Sequence, residues 1–179
     1  MTLLYSLEHD GGESMNENQA IAMWKLGFGN MNDVLFGIDK PEQEKRRAIK
    51  SDWETHRMPR TRSHFDLDIE LSNDDFETLA WGHIPEEMKD HWFMYFDGEA
   101  FCFYRSWTGF CIYRAYVKRS ENPENREGYA IYRATVNRSK KQYGEENDKR
   151  DAVSIAILIG QALGGDVDKL WERYFELGE

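Results

Sequence analysis

Residues 92–117 read WFMYFDGEAFCFYRSWTGFCIYRAYV, and this stretch decides the fold. It contains three runs that are dense in aromatic and β-branched residues, which favour strands. The pairs Asp97-Gly98 and Thr108-Gly109 separate the runs, and such pairs are typical of tight hairpin turns. The stretch therefore predicts three consecutive antiparallel strands joined by short turns.

Further strands are predicted on both sides of this stretch. Residues 64–71, HFDLDIEL, alternate between polar and apolar side chains, as a half-buried strand does. Residues 129–137, YAIYRATVN, follow a polar loop and have a similar strand-like composition. The sheet is thus expected to be an antiparallel meander of about five strands.

Helices are predicted around the sheet. Ser72, with Asp75 three residues later, has the spacing of a capping box and predicts a short helix. Residues 151–163 are apolar on nearly every side and predict a buried helix, and an amphipathic helix follows Asp166. Residues 16–26 and the polar run 42–50 are also predicted to be helical. Together these elements predict an α+β fold with the helices packed on one face of the sheet.

The length and charge of the chain limit its organisation and partners. The 179 residues suggest a single domain. It would consist of a helical N-terminal segment at 1–62, the sheet at 63–138 and C-terminal helices at 148–179. The net charge of −10 disfavours duplex nucleic acid as a partner, because phosphates repel an acidic surface.

The compartment is predicted to be the cytoplasm. The first residues have no basic and apolar pattern of a signal peptide, and the most apolar run, residues 152–163, is too short for a membrane span. Cys102 and Cys111 both lie in strand-like runs, which is typical of reduced cysteines that act as small hydrophobic residues. We expect no membrane partner and no cofactor.

A Tyr-Arg pair occurs once in each of three successive predicted strands, ending in Arg105, Arg114 and Arg133. If Thr108-Gly109 is a two-residue turn, Arg105 and Arg114 are diagonal neighbours on one aromatic face. Two cations in an apolar wall require an anion. Either an internal salt bridge supplies it, from Asp66, Asp68 or Glu70, or a ligand phosphate or carboxylate does, with aromatic rings beside it.

A row of acidic side chains on the first predicted strand offers a second hypothesis. His64, Asp66, Asp68 and Glu70 share one face of that strand, and they are ligand types that suit Mg²⁺ or Mn²⁺. However, successive side chains on one face lie almost 7 Å apart, so a single ion rarely bridges more than two of them. The same row would equally serve as an acidic contact surface for a protein.

The segment from Gly82-His83-Ile84-Pro85 through Trp92-Phe93-Met94-Tyr95 to the RSWTG sequence at residues 105–109 resembles a group of little-characterised bacterial and phage proteins. In that group such hairpins accompany ADP-ribosylglycohydrolase or macrodomain modules. The resemblance covers about residues 71–117 and implies a ligand derived from ADP-ribose or another nucleotide. The group has His before the arginine where this chain has Tyr104, which favours binding without turnover.

These observations predict a small protein that binds a nucleotide-like anion and sequesters it as a signal. The first alternative is an acidic protein-interaction module of the inhibitor or immunity type. The second is a metal-dependent phosphoester hydrolase that uses the acidic row. The residues predicted to bind the nucleotide-like ligand are Trp92, Arg105, Ser106, Trp107, Thr108, Gly109, Arg114 and Arg133.

Overall fold

The protein is described by a computed structural model that covers residues 46–86 and 90–178. Its sheet has five strands, all paired antiparallel: β1 (Arg62–Leu71), β2 (Trp92–Phe96), β3 (Ala100–Arg105), β4 (Cys111–Arg119) and β5 (Tyr129–Asn137). The spatial order is β1-β5-β4-β3-β2. Strands β2 to β5 form the predicted meander, and β1 pairs with β5 at its far side.

Three helices accompany the sheet: α1 (Asn73–Ala80), α2 (Asp148–Ala162) and α3 (Asp168–Glu176). The predicted capping box of α1 is present, because the backbone N–H of Asp75 donates to Ser72 Oγ at 3.1 Å and the Asp75 carboxylate accepts from the Ser72 N–H at 3.0 Å. Asn147 caps α2 by accepting from two backbone N–H groups. The α+β prediction is confirmed.

The main core lies between the helices and one face of the sheet. All three helices contribute buried side chains to it, and so do alternate positions of the strands. A smaller cluster covers part of the opposite face, and we call that side the outer face. Its buried members are Ala48, Phe93, Tyr95, Cys102, Tyr104 and Cys111.

Residues 46–49, the described end of the polar run 42–50, are not helical, so the prediction of a helical segment at 1–62 is wrong over residues 46–62. From residue 46 to 58 there is only one turn of 3₁₀ helix, Lys50–Asp52. The backbone N–H of Ala48 instead donates to the carbonyl of Trp81 at 2.8 Å, which fixes this segment against the outer face. The predicted helix at 16–26 lies outside the described residues.

The β3–β4 turn also differs from the prediction. It is not a two-residue turn: residues 106–109 form the loop, and the backbone N–H of Arg105 donates to the carbonyl of Phe110 at 3.0 Å. Phe103 pairs with Tyr113, but Tyr104 pairs with Cys111, so Ile112 is an extra residue in β4. Such a bulge shifts every following side chain of the strand to the other face.

Among the helices of the described residues, none is long and apolar enough to cross a membrane.

Candidate functional site

The bulge in β4 separates the arginines that the Tyr-Arg pairs place in neighbouring strands. Arg105 lies on the helix-covered face, in line with Phe101 and Phe103 of the main core. Arg114 lies on the outer face, between two residues that point into the main core. The prediction that Arg105 and Arg114 are diagonal neighbours is therefore wrong.

Arg114 has Arg133 as its diagonal neighbour instead. Arg114 pairs with Thr135 and Tyr116 pairs with Arg133, so both arginines are on the outer face of adjacent strands. Each has a carboxylate partner, Asp97 for Arg114 and Asp66, at 3.4 Å, for Arg133. Internal carboxylates thus neutralise both, although the partner of Arg114 is Asp97 and none of the three predicted carboxylates.

Four residues at one end of the sheet, His91, Trp92, Arg105 and Trp107, form what we call the hairpin site. Three of them were predicted as ligand-binding residues; the structure brings Trp92 and Arg105 together, and Trp107 contacts His91. Trp92 pairs with Arg105 across the β2–β3 ladder, and the guanidinium carbon of Arg105 lies 4.1 Å from the centre of the indole ring. The ring of His91 meets the ring of Trp107 edge-on, with 4.6 Å between their centroids.

The two indole rings of the hairpin site have different surroundings. Trp92 is buried, and on the side of the sheet core its ring stacks on Tyr113 at a centroid distance of 5.8 Å. Trp107 is 59% exposed, the largest exposure among the exposed large hydrophobic residues of the described ranges. Only the Trp107 indole therefore offers a ring face to a ligand from solvent.

The hairpin holds its backbone in place with groups that were predicted to contact ligand. The Ser106 hydroxyl donates to the carbonyl of Asp90, and the Ser106 carbonyl accepts from Trp53 Nε1 at 2.9 Å. The Thr108 hydroxyl accepts from the Phe110 N–H at 3.3 Å. Both hydroxyls therefore hold the turn.

Gly109 has a structural role in the same turn. Its φ of +64° lies in the left-handed region, and a Cβ at this position would come within 2.3 Å of the Glu54 carbonyl oxygen. Its N–H donates to the Arg105 carbonyl at 2.8 Å, and its carbonyl accepts from the His56 N–H at 2.7 Å. Only glycine satisfies both the conformation and the close approach.

A buried hydroxyl network lies behind the hairpin site. The hydroxyls of Tyr113 and Tyr143 are 2.5 Å apart, and each donates to Asp151 Oδ1, at 3.0 and 2.6 Å. Arg138 pairs with the other oxygen of Asp151 at 2.6 Å. Burial raises the pKa of Asp151, while the two tyrosines and Arg138 oppose that rise. Burial also raises the pKa of both tyrosines well above the usual value.

Burial shifts the pKa values of two residues of the hairpin site, Arg105 and His91. Burial lowers the pKa of Arg105, and the nearby hydroxyls of Tyr113, Tyr143 and Tyr174 act in the opposite direction. Burial also lowers the pKa of His91, and the positive charge of Arg105 adds to that effect. The histidine is therefore favoured in its neutral form beside a cationic guanidinium.

Sequence reasoning missed the contributions of His91, Tyr143 and Asp151. His91 has no partner with metal-ligand spacing in the sequence, and its role depends on its ring contact with Trp107. Tyr143 lies in a charged loop at 139–147 and Asp151 in the first turn of α2, so neither shows an alternating or helical pattern that points to the sheet.

The acidic row has a different arrangement from a metal centre. Glu70 accepts from Ser120 and Asn125 at 2.6 Å each, and His64 Nδ1 is 2.8 Å from Thr135 Oγ1. Within residues 46–86 and 90–178, no group of three or more His, Cys, Asp or Glu side chains converges on a common point for a metal ion.

Comparison of the chain with protein-family models, with curated proteins and with solved structures found no match. The assignment of a function accordingly depends on the geometry of the site.

Proposed function

We propose that the protein binds a nucleotide-derived anion at the hairpin site without turning it over. In this arrangement Arg105 contacts a phosphate and the exposed ring of Trp107 stacks on the base. The observation that supports the proposal is that one hairpin carries both groups. The Arg105 guanidinium is fixed on the Trp92 ring, and the exposed Trp107 indole follows two residues later.

The position of Arg105 suits an anion contact. Its guanidinium rests on the Trp92 ring, which limits the side-chain entropy that would be lost when a ligand binds. A partly buried guanidinium interacts with a phosphate more strongly than an exposed one, because less water screens the charges. Such a charge-assisted contact contributes about 1.5–3 kcal/mol.

The exposure of Trp107 suits a base contact. Stacking of a nucleic-acid base on an aromatic side chain contributes about 1–3 kcal/mol, and every base has a suitable ring face. The edge contact with His91 holds the indole in position. Together with the phosphate contact, this favours a ligand that contains both a base and a phosphate over inorganic phosphate alone.

ADP-ribose is the first compound to test, since the RSWTG hairpin resembles hairpins that accompany ADP-ribose-processing modules. The test is a thermal-shift screen with ADP-ribose, its cyclic forms, ADP, AMP and ribose 5-phosphate, followed by titration calorimetry on any compound that stabilises the protein. A ligand at 100 times its dissociation constant adds about 2.7 kcal/mol of stability, which shifts the melting temperature by several degrees.

Three variants test whether the ligand binds at the hairpin site. Trp107→Ala changes an exposed ring and should weaken binding at least tenfold while the melting temperature of the free protein stays unchanged. Arg105→Met keeps the bulk of the side chain and should abolish the phosphate contact. Arg133→Met on the outer face is the control and should bind normally. The proposal fails if no compound binds, or if Arg133→Met weakens binding as much as Arg105→Met.

A further inference from the structure

The segment before β1 crosses the outer face of the sheet, and we call residues 46–58 the strap. Apart from one 3₁₀ turn and one isolated bridge, its backbone forms no regular element. Its apolar side chains cover the smaller cluster: Ala48 is buried in the cluster, and Trp53 and Met58 pack against it. The Trp53 ring stacks on Phe93 of β2 at a centroid distance of 6.2 Å. The strap therefore shields the apolar part of the outer face from water.

The strap also holds the loop that carries Trp107. The indole N–H of Trp53 donates to the Ser106 carbonyl at 2.9 Å, and the backbone N–H of His56 donates to the Gly109 carbonyl at 2.7 Å. One of these carbonyls precedes Trp107 in the loop and the other follows it. The exposed indole of Trp107 is therefore on a segment that is hydrogen-bonded to the strap at both ends.

Close packing joins the strap to the same loop. A Cβ at Gly109 would lie 2.3 Å from the Glu54 carbonyl oxygen, so the two backbones meet without room for a side chain. The ring of His56 lies beside the ring of Phe110, with 5.4 Å between the centroids. Displacement of the strap would thus remove packing from the loop as well as its two hydrogen bonds.

The other end of the strap is fixed to α1. The Ala48 N–H donates to the Trp81 carbonyl at 2.8 Å, and Arg47 forms an ion pair with Glu77. Both side chains of this ion pair are about half exposed, so the pair contributes little. Segments held by scattered contacts open at lower free energies than a paired sheet does. Loss of one strong anchor should therefore open the strap without unfolding the sheet.

Two thiols beneath the strap can report its opening. Cys102 of β3 and Cys111 of β4 belong to the cluster, are free, and are each 1% exposed. A thiol must reach solvent before a reagent can modify it. Their rate of modification under native conditions therefore measures how often the cluster is uncovered.

We propose that the strap positions Trp107 for ligand binding, because Trp53 and His56 hold the carbonyls before and after it. Trp53 is a positioning residue in this arrangement, since it acts through the loop. A loop that is already held loses less conformational entropy when a ligand stacks on Trp107. Because coupling is reciprocal, a bound ligand also holds the strap closed. The effect on affinity rests on the proposed function, whereas the coupling of strap and loop does not.

The first test uses the free protein. The variant Trp53→Phe keeps a ring to stack on Phe93 but lacks the N–H that donates to the Ser106 carbonyl. Hydrogen exchange of the His56 amide should become at least about fivefold faster, because one hydrogen bond between strap and loop is lost. Amide resonances of residues 106–109 should shift as the loop loosens, while amides of α2 keep their exchange rates.

Thiol labelling provides an independent measurement of the same opening. Modification of Cys102 and Cys111 under native conditions should also be at least about fivefold faster in Trp53→Phe than in the wild type. Trp81→Phe is the matched control. It makes the same ring change at an exposed indole whose backbone carbonyl, and not its side chain, bonds to the strap. Both rates should stay at the wild-type value in this control.

The second test uses ADP-ribose as the probe and calorimetry as the measurement. Trp53→Phe should bind it at least about fivefold more weakly than the wild type, and Trp81→Phe should bind it normally. Saturating ADP-ribose should slow thiol labelling of Trp53→Phe, because the bound ligand favours the closed strap. If neither ADP-ribose nor any other nucleotide binds the wild type, the proposed function and the effect on affinity both fail, and the exchange rates still decide the coupling.

Two results would overturn the inference. The first is that Trp53→Phe exchanges and labels at wild-type rates, which would show that the strap does not depend on this hydrogen bond. The second is that labelling accelerates while the resonances of residues 106–109 and the affinity for ADP-ribose stay unchanged. The strap would then cover the cluster without positioning the loop.

Discussion

Trp92 lies directly opposite Arg105 in the β2–β3 ladder, and the guanidinium covers the face of the indole ring at 4.1 Å. This contact fixes a cation at the edge of the core, and the indole ring also stacks on Tyr113. Trp107, two residues after Arg105, is exposed. The hairpin site therefore depends on a single cross-strand pair.

Substitution of Gly109 by alanine should destabilise the protein strongly. The residue has φ +64°, and an added Cβ would lie 2.3 Å from the Glu54 carbonyl oxygen, so backbone strain and a steric clash act together. Gly98→Ala is the matched control, because its φ is +97° but no atom lies within 4 Å of the added Cβ. Backbone strain alone costs about 1–2 kcal/mol.

Urea unfolding measures both free energies of unfolding. Gly109→Ala should lower the free energy of unfolding clearly more than Gly98→Ala does. Equal losses would show that the Glu54 segment moves aside freely and does not hold the turn.

Removal of the charge of Asp151 should lower the free energy of unfolding far more than removal of the charge of Asp148. The two carboxylates both pair with Arg138, but the side chain of Asp151 is 0% exposed and that of Asp148 is 45% exposed. Asp151→Asn keeps one acceptor oxygen for the tyrosine hydroxyls, but it removes the buried negative charge and places a donor NH₂ against the Arg138 guanidinium, which costs about 3–5 kcal/mol. Asp148→Asn should cost less than about 1 kcal/mol. Chemical denaturation of both variants would check this, and similar losses would contradict it.

The stability contributed by Asp97 should depend on pH. Burial raises the pKa of this carboxyl. The N–H groups of Ala100 and Glu99 and the charge of Arg114 lower it by a larger amount, so the pKa of Asp97 in the folded protein is below its ordinary value. A lowered folded-state pKa gives stability that is present above the unfolded-state pKa and lost as pH falls through the folded-state pKa. Its unfolded-state pKa is near the ordinary value of about 3.9 for aspartate.

The measurement is the difference in unfolding free energy between the wild type and Asp97→Asn as a function of pH. It should be largest at neutral pH and shrink towards acid pH. Arg114→Gln removes one of the causes but keeps the two backbone hydrogen bonds, so it should retain part of the pH dependence. A difference that is constant with pH would mean that Asp97 acts through its shape alone.

The two cysteines should resist thiol reagents in the folded protein. Both are buried and free, and burial raises the pKa of Cys111 to about 12 and that of Cys102 further still. The thiolate is the reactive species, so neither side chain should react with a thiol reagent at neutral pH until the protein unfolds. Labelling in denaturant should modify both at full rate. Rapid labelling of one cysteine under native conditions would show that the outer-face cluster opens locally.

Most of the fold was predictable because its signals are local. The alternation at 64–71, the capping box of Ser72 and the Asp97-Gly98 turn each depend on neighbouring residues, and all three are present in the structure. The helix expected over 42–50 has no comparable support. Polarity and helix propensity alone could not reveal that the Ala48 N–H would bond to the Trp81 carbonyl.

The candidate site was predictable only in part for a related reason. The contact between Trp92 and Arg105 follows from a hairpin with a clear turn signal, whereas the side of Arg114 depends on one extra residue in β4. The loop before the bulge also packs against the Glu54 segment through Gly109, which is a contact distant in sequence. A repeated dipeptide therefore could not show which arginines share a face.

The bulge at Ile112 has a consequence for how this hairpin can change. Point substitutions leave the count of residues in β4 intact, so they alter one side chain at a time. Deletion of Ile112 would remove the extra residue and leave a regular ladder in which Tyr104 still pairs with Cys111 and Phe103 with Tyr113, so Tyr113 and Arg114 would keep their faces. In a library selected for folded protein, single-codon deletions at Ile112 should therefore survive more often than those at Ala115, which exchange the inner and outer side chains of the rest of β4.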